Sequence, residues 1–213
     1  MKTISKLAIY ANGILSQNLI KKAQNYDYII ATDIASLKLI KKGIIPELAI
    51  GDFDSVSTKD FEFIKRSAGH CSVYPAEKNW TDLELAVKEA LKLKPKIIDI
   101  YGATGTRIDH LLAAVFLLEK ISDSGILAKI IDRNNEILFV KNSVILSKSG
   151  TFPYLSLIPI SQEVVVSVKG TKYELSDKKI NRDQTIGISN RICGNRCQIT
   201  VQRGKLIVVR SKD

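Results

Sequence analysis

From residue 7 to about residue 120 the chain alternates short apolar runs with segments of helical spacing. That alternation constrains the fold more than any other feature. Apolar runs at 7–11, 28–31, 48–50, 72–74 and 97–101 read as buried strands. Helical patterns at 16–24, 35–42, 57–66, from Thr81 toward Pro95, and 107–120 lie between and after them. Strands that alternate with helices predict a parallel sheet covered by helices on both faces. From residue 127 onward the pattern changes to strands and turns only, at 127–131, 137–140, 143–146, 154–158, 164–168, 198–201 and 206–209. Gln202-Arg203-Gly204-Lys205 reads as a hairpin between the last two. Such a run indicates a small β-sandwich or barrel. The expected architecture is therefore α/β: an open, Rossmann-like parallel sheet over 1–134, then a smaller all-β sandwich over 135–213. The first of the late strands could still belong to the parallel sheet.

The sharpest local signal is Leu48-Ala49-Ile50-Gly51-Asp52-Phe53-Asp54-Ser55. If the strand continues past Gly51, Asp52 and Asp54 face one side and Phe53 the other. Carboxylates so placed repel and raise one another's pKa unless a cation sits between them. Mg²⁺, a hard ion that takes oxygen ligands, resolves that conflict. The plainer alternative is a loop in which Asp and Ser only cap turns.

Ligands of an open parallel sheet bind at the carboxyl ends of its strands. Asp33 follows the second strand, and Asp52 and Asp54 the third. Asp82 opens a helix after the fourth, while Arg107, Asp109 and His110 follow the fifth. Each has a structural reading beside the functional one. Asp82 is favoured at a helix N-terminus by the dipole alone. Asp109 could simply pair with Arg107 or Arg133, His110 could be a partly buried imidazole, and Lys78 a solvated lysine. Thr81 and Glu84 fit a capping box. Gly102-Ala103-Thr104-Gly105 matches neither the Walker pattern nor the dinucleotide fingerprint. Taken together, clustered carboxylates, Arg and Lys are the recurring parts of phosphoryl-type transfer.

Composition narrows the field. Apolar residues make up 45% and charged residues 25%, as in an ordinary soluble domain. No apolar run approaches the roughly 20 residues of a membrane span, and the opening residues are too briefly apolar for a signal peptide. A cytoplasmic location is expected. Three cysteines argue against a disulfide framework. Cys193 and Cys197 lie far from both histidines, so zinc would lack ligands. The net charge of +10 is scattered rather than grouped, which favours solvated surface over a nucleic-acid groove.

Three motifs resemble those of the thiamine pyrophosphokinase family: Gly51-Asp52-Phe53-Asp54-Ser55 after Gly43-Ile44-Ile45-Pro46-Glu47, then Glu77-Lys78-Asn79-Trp80-Thr81-Asp82-Leu83-Glu84, then Gly102-Ala103-Thr104-Gly105-Thr106-Arg107-Ile108-Asp109-His110. Gly170-Thr171-Lys172-Tyr173-Glu174-Leu175 and Gly187-Ile188-Ser189-Asn190 extend the likeness toward the end. The resemblance implies an ATP-dependent enzyme that moves a pyrophosphoryl group onto the hydroxyl of thiamine and leaves AMP. It implies Mg²⁺, a homodimer with thiamine held at the interface, and no nucleic acid or membrane partner. By position, Asp52, Asp54 and Asp82 would surround the metal and polyphosphate, and Asp109 would orient the attacking hydroxyl. Arg107 and Lys78 would neutralise phosphate charge. Asn12, Asp33, Thr81 and His110 would lie along the nucleotide cleft, and Ser189 and Asn190 would contact thiamine. Ile34, Ala114 and Arg191 stand where the family often has Gly, Asn and Glu. Rival readings are a pyrophosphokinase for another alcohol such as a pterin, a haloacid-dehalogenase-like phosphatase using Asp52 and Asp54, and a non-enzymatic nucleic-acid binder.

Overall fold

The computed structural model describes residues 3–213. The chain divides into two compact units between Arg133 and Asn134.

In the first unit, β1 (Lys6–Tyr10), β2 (Tyr28–Thr32), β3 (Leu48–Gly51), β4 (Cys71–Val73), β5 (Ile97–Tyr101) and β6 (Leu127–Ile131) form parallel pairs in the order β4-β3-β2-β1-β5-β6. The crossovers are α1 (Gln17–Lys21), α2 (Asp33–Ile40), α3 (Thr58–Ser67), α4 (Asp82–Lys92) and α5 (Ile108–Asp123). Leu7, Ala8, Ile9 and Tyr10 of the central β1 are all buried. That explains why it reads as an unbroken apolar run instead of an alternating one. Ser16, Ser57 and Thr81 cap α1, α3 and α4 with their hydroxyls. Glu84 does not complete the expected capping box. Its carboxylate lies 3.0 Å from Lys120 and 3.8 Å from Lys88.

Strand order reverses between β1 and β5, where the chain leaves in both directions. Tyrosines lock this switch point. The Tyr10 and Tyr101 rings stack at 4.9 Å. Tyr26 bonds Asp99 Oδ2 and the Tyr101 hydroxyl, each at 2.6 Å. Burial, reinforced by Asp99, pushes the Tyr26 phenol far above its ordinary pKa, so it stays neutral.

In the second unit, β7 (Asn135–Val140), β8 (Ser143–Ser147), β9 (Tyr154–Pro159), β10 (Glu163–Lys169), β11 (Leu175–Asn181), β12 (Arg196–Arg203) and β13 (Leu206–Ser211) build two antiparallel layers. In one layer β13 lies between β7 and β9. The other runs β11-β10-β12-β8. Alternate side chains of both layers meet in one core: Leu138, Leu157 and Val208 from the first, Val166, Ile180 and Ile199 from the second. This is a sandwich. A cross-strand ion pair, Arg210 with Glu136, is nearly buried beside that core.

Two sequence expectations fail here. The turn at Gly204 is not a hairpin, because β12 pairs with β10 and β8 while β13 pairs with β7 and β9. The chain changes layers at that turn instead. Strand β11 was not expected at all. Of Leu-Ser-Asp-Lys-Lys-Ile-Asn only Ile180 is buried, so an edge strand bears no apolar alternation to read.

Replacing Tyr26 with Phe leaves the buried end of Asp99 without its phenol donor. We expect it to cost about 1–3 kcal/mol in urea denaturation. An unchanged midpoint would show that the tyrosine lock does not hold the switch point.

Candidate active site

The switch point opens into a cleft of about 650 Å³ in the first unit. The loop after β1 and the loop after β5 form its floor, and they touch: the Gly13 amide donates to the Gly102 carbonyl at 2.7 Å. A Cβ on Gly13 would lie 2.3 Å from the Thr104 carbonyl oxygen, so only glycine permits this approach.

Asp33 sits at the start of α2 with φ of 26°, and only 2% of it is exposed. Its carboxylate accepts from the Phe53 amide at 3.0 Å and from Asn12 Nδ2 at 2.8 Å. Asn12 Oδ1 in turn accepts from Thr32 Oγ1 and the Ala35 amide. Asn12 thereby ties the β1 loop to the head of α2. Gly51 makes room for this arrangement, because a Cβ there would lie 1.8 Å from Asp33 Oδ1. Burial, with Asp82 adding repulsion, raises the Asp33 carboxyl to about 7 against those two hydrogen bonds.

Lys78 projects its ammonium between two further carboxylates, 2.7 Å from Asp52 Oδ2 and 3.0 Å from Asp82 Oδ1. Its side chain is 8% exposed. Burial opposes the charge on both Asp52 and Lys78. Their mutual hydrogen bond prevails, so Asp52 falls below and Lys78 rises above the ordinary value. Asp33, Asp52 and Asp82 each bring a carboxylate oxygen within 4.8 Å of the others. Asp82 Oδ1 is buried, and the Lys78 ammonium 3.0 Å away is the positive charge that faces it. Three carboxylate oxygens converging from separate strand exits fit a hard divalent cation such as Mg²⁺.

The grouping differs from the one the sequence suggests. Asp54 stays next to Asp52 but outside the trio: β3 ends at Gly51, Phe53 adopts φ of 57°, and the Asp54 amide donates to Asp52 Oδ1 at 3.3 Å. The cause is burial of the Phe53 ring among Leu37, Ile40 and Ile64, which turns the backbone. Asp54 is left exposed and accepts from Ser55 Oγ at 3.0 Å. Asp33, expected along the cleft, takes the third place in the group. Its signal was visible only as an acid directly after an apolar run.

Arg107 and Asp109 form a two-point ion pair at the mouth, at 3.2 and 2.5 Å. Both are well exposed. Arg107 holds the Asp109 carboxyl down at about 2. His110 is exposed, unlike the partly buried imidazole of the structural alternative, and lines the cleft with them. Arg107 at the N-cap of α5 makes no side-chain cap bond, and the positive end of the helix dipole favours an anion at this edge. Thr81 lines the cleft while its hydroxyl caps α4. Trp80, given no role from sequence, lines it too. Buried Ala114 forms part of the wall, and Ile34 is half-buried beside Asp33.

Ser189 and Asn190 lie in the second unit. Ser189 is exposed with φ of 59°, and its amide donates to Ser156 Oγ. Asn190 is 7% exposed. Its Nδ2 donates to Thr171 Oγ1 and the Tyr173 carbonyl, and its Oδ1 accepts from the Tyr173 and Arg191 amides. An amide has no further capacity. Asn190 therefore braces the loop and is a poor direct contact for a ligand. Arg191 turns its guanidinium onto the Tyr154 ring, 4.7 Å from the centroid.

Four acidic residues in or around the cleft, Asp33, Asp52, Asp82 and Asp109, count against a nucleic-acid groove. Comparison with known proteins agrees. Residues 19–130 match the family model described as the thiamin pyrophosphokinase catalytic domain, and residues 142–206 match its vitamin B1 binding domain. The chain is 36% identical to the thiamine pyrophosphokinase of Bacillus subtilis (strain 168) over 219 aligned residues, covering all of both chains. A crystal structure of the Bacillus subtilis protein superposes with a TM-score of 0.89 at 35% identity, over 98% of this chain and all of that one. A thiamin pyrophosphokinase family protein from Enterococcus faecalis superposes at 0.87 with 29% identity, over 98% of this chain and all of that one. With both halves matched and the whole length aligned, the chain belongs to the thiamine pyrophosphokinase family.

Proposed function

We propose that the chain catalyses ATP-dependent pyrophosphoryl transfer to the hydroxyl of thiamine, giving thiamine diphosphate and AMP. The observation that carries this reading is the convergence of Asp33, Asp52 and Asp82, with Lys78 among them, in the cleft of the catalytic unit. The thiamine hydroxyl oxygen forms a bond to the β-phosphorus of ATP and gives up its proton to solvent, the bond from that phosphorus to the α-β bridging oxygen breaks, and AMP departs.

Mg²⁺ held by Asp33, Asp52 and Asp82, with Asp54 as an outer acid on the same loop, would neutralise polyphosphate charge. The residues themselves do the rest by position and charge. Lys78 is held charged between two carboxylates and is aimed at phosphate oxygens. Arg107 and the N-terminal dipole of α5 take negative charge at the other edge. Asp109, already ionised and held near 2, is too weak a base to take the hydroxyl proton; it orients Arg107 and the incoming hydroxyl. Thr81 fixes the start of α4, which presents Asp82, and His110 borders the nucleotide. In the second unit, Ser189 offers a hydroxyl to thiamine on a loop that Asn190 holds rigid. The working form in this reading is a homodimer in the cytoplasm, where ATP is available and the three free thiols stay reduced.

Incubation with Mg²⁺, ATP and thiamine is expected to yield AMP and thiamine diphosphate; ADP with a monophosphate product contradicts the reaction type. Asp52→Asn should keep its circular dichroism spectrum and lose about 100-fold or more in turnover. Near-normal activity in that variant would falsify its assignment to the charge cluster. Ser189→Ala should raise the KM for thiamine several-fold and leave that for ATP alone, whereas equal rises would remove Ser189 from the thiamine site.

The metal-free protein carries a pH signature. Asp33 holds its proton up to about 7 when folded, against an ordinary 3.8. The folded state thus binds more protons between those values, and stability falls as pH rises through that window. The Asp33 contribution is complete below about pH 4, and its slope is about 1 kcal/mol per pH unit. Urea melts in EDTA should show this slope in the wild type and lose it in Asp33→Asn. Equal slopes in the two proteins would mean that Asp33 is ionised at neutral pH.

A further inference from the structure

The cleft contains one group that the charge chemistry does not use. Trp80, the only tryptophan in the chain, lies between Lys78 and Asp82 in sequence, and 44% of it is exposed although it borders the site. A large indole left open to water gives up the burial that normally stabilises it. Its ring is not bare on both sides. The Lys88 ammonium, two turns along α4, stands 3.5 Å from the ring centroid. Lys88 is steadied by Glu84 at 3.8 Å. Trp80 lines the cleft and Lys88 does not, so the face away from Lys88 is the one a cleft ligand can cover. Leu83, Ala113, Ala114 and Leu117 make the same cleft partly apolar.

Resting on the reaction proposed above, we propose that Trp80 is the stacking platform for the adenine base of the donor nucleotide. Two aromatic substrates compete for that face, and charge decides between them. A cation is attracted to an indole by its electron-rich faces. Lys88 already draws on that density from one side. Thiamine would bring a second positive charge to the other side, in its thiazolium ring and one carbon from its pyrimidine. The two cations would then share one ring and repel each other across it. Adenine is neutral and loses nothing by the arrangement. An aromatic face also takes a base by stacking regardless of its hydrogen-bonding edge. Trp80 is thus a binding residue for the nucleotide, and Lys88 a positioning residue that fixes which face of the indole is open.

Because Trp80 is the sole tryptophan, its emission reports on the site without substitution. In the wild-type protein with Mg²⁺, ATP and adenosine should change the emission, while inorganic tripolyphosphate and thiamine should not. A response to thiamine but not ATP, or an equal response to tripolyphosphate, overturns the assignment. Trp80→Leu should raise the KM for ATP about 10-fold and move that for thiamine less than twofold, with Trp80→Phe restoring most of the loss. An unchanged ATP KM in Trp80→Leu overturns it as well. Failure here is separable from failure of the reaction itself. A wild-type protein that makes no thiamine diphosphate sinks the proposed reaction, whereas normal product formation with a silent tryptophan sinks only the stacking role.

Discussion

Mutual repulsion among carboxylates is the constraint on which the catalytic unit depends. A parallel sheet delivers Asp33, Asp52 and Asp82 to one end because its crossovers start there, and left alone those charges would push apart. Each is restrained by a different device. Asp33 is buried and held by Asn12 and the Phe53 amide, so that it keeps a proton near neutrality. Asp52 and Asp82 share the ammonium of Lys78. Such a cluster favours whatever brings more positive charge, and a metal-bound polyphosphate does so.

The neighbouring structure keeps that arrangement rigid. Phe53 is buried at the cost of turning the backbone after Gly51, and the same turn aims its amide at Asp33. Gly51 and Gly13 are places where a side chain would collide with the parts being held. Behind them the tyrosines of β1 and β5 bind the two strands whose loops form the floor. Packing, backbone geometry and electrostatics act on the same few residues. A change in one is therefore felt in the others.

Much was legible in the residues. The parallel sheet, most of the late strands and the helix start at Thr81 follow from periodicity and local hydrogen bonding. The carboxylates at strand exits were visible by the same means. Less visible were features that depend on partners distant in sequence. Strand β11 is an edge with almost no buried side chain. The turn at Gly204 looks like a hairpin locally, yet its two strands belong to different layers. Asn190 looks like a ligand contact until its amide is seen to be occupied by Thr171, Tyr173 and Arg191.

By itself the sequence determined which residues stand at the ends of strands, because strand and helix periods are local and alternate plainly up to Lys120. It also determined that acids, a lysine and an arginine would gather at one edge, since parallel strands bring all their carboxyl ends to the same side. The tertiary structure alone decided which of those acids meet. Asp54 was left exposed at the rim and Asp33 brought in, because a buried phenylalanine outweighs the continuation of an extended strand.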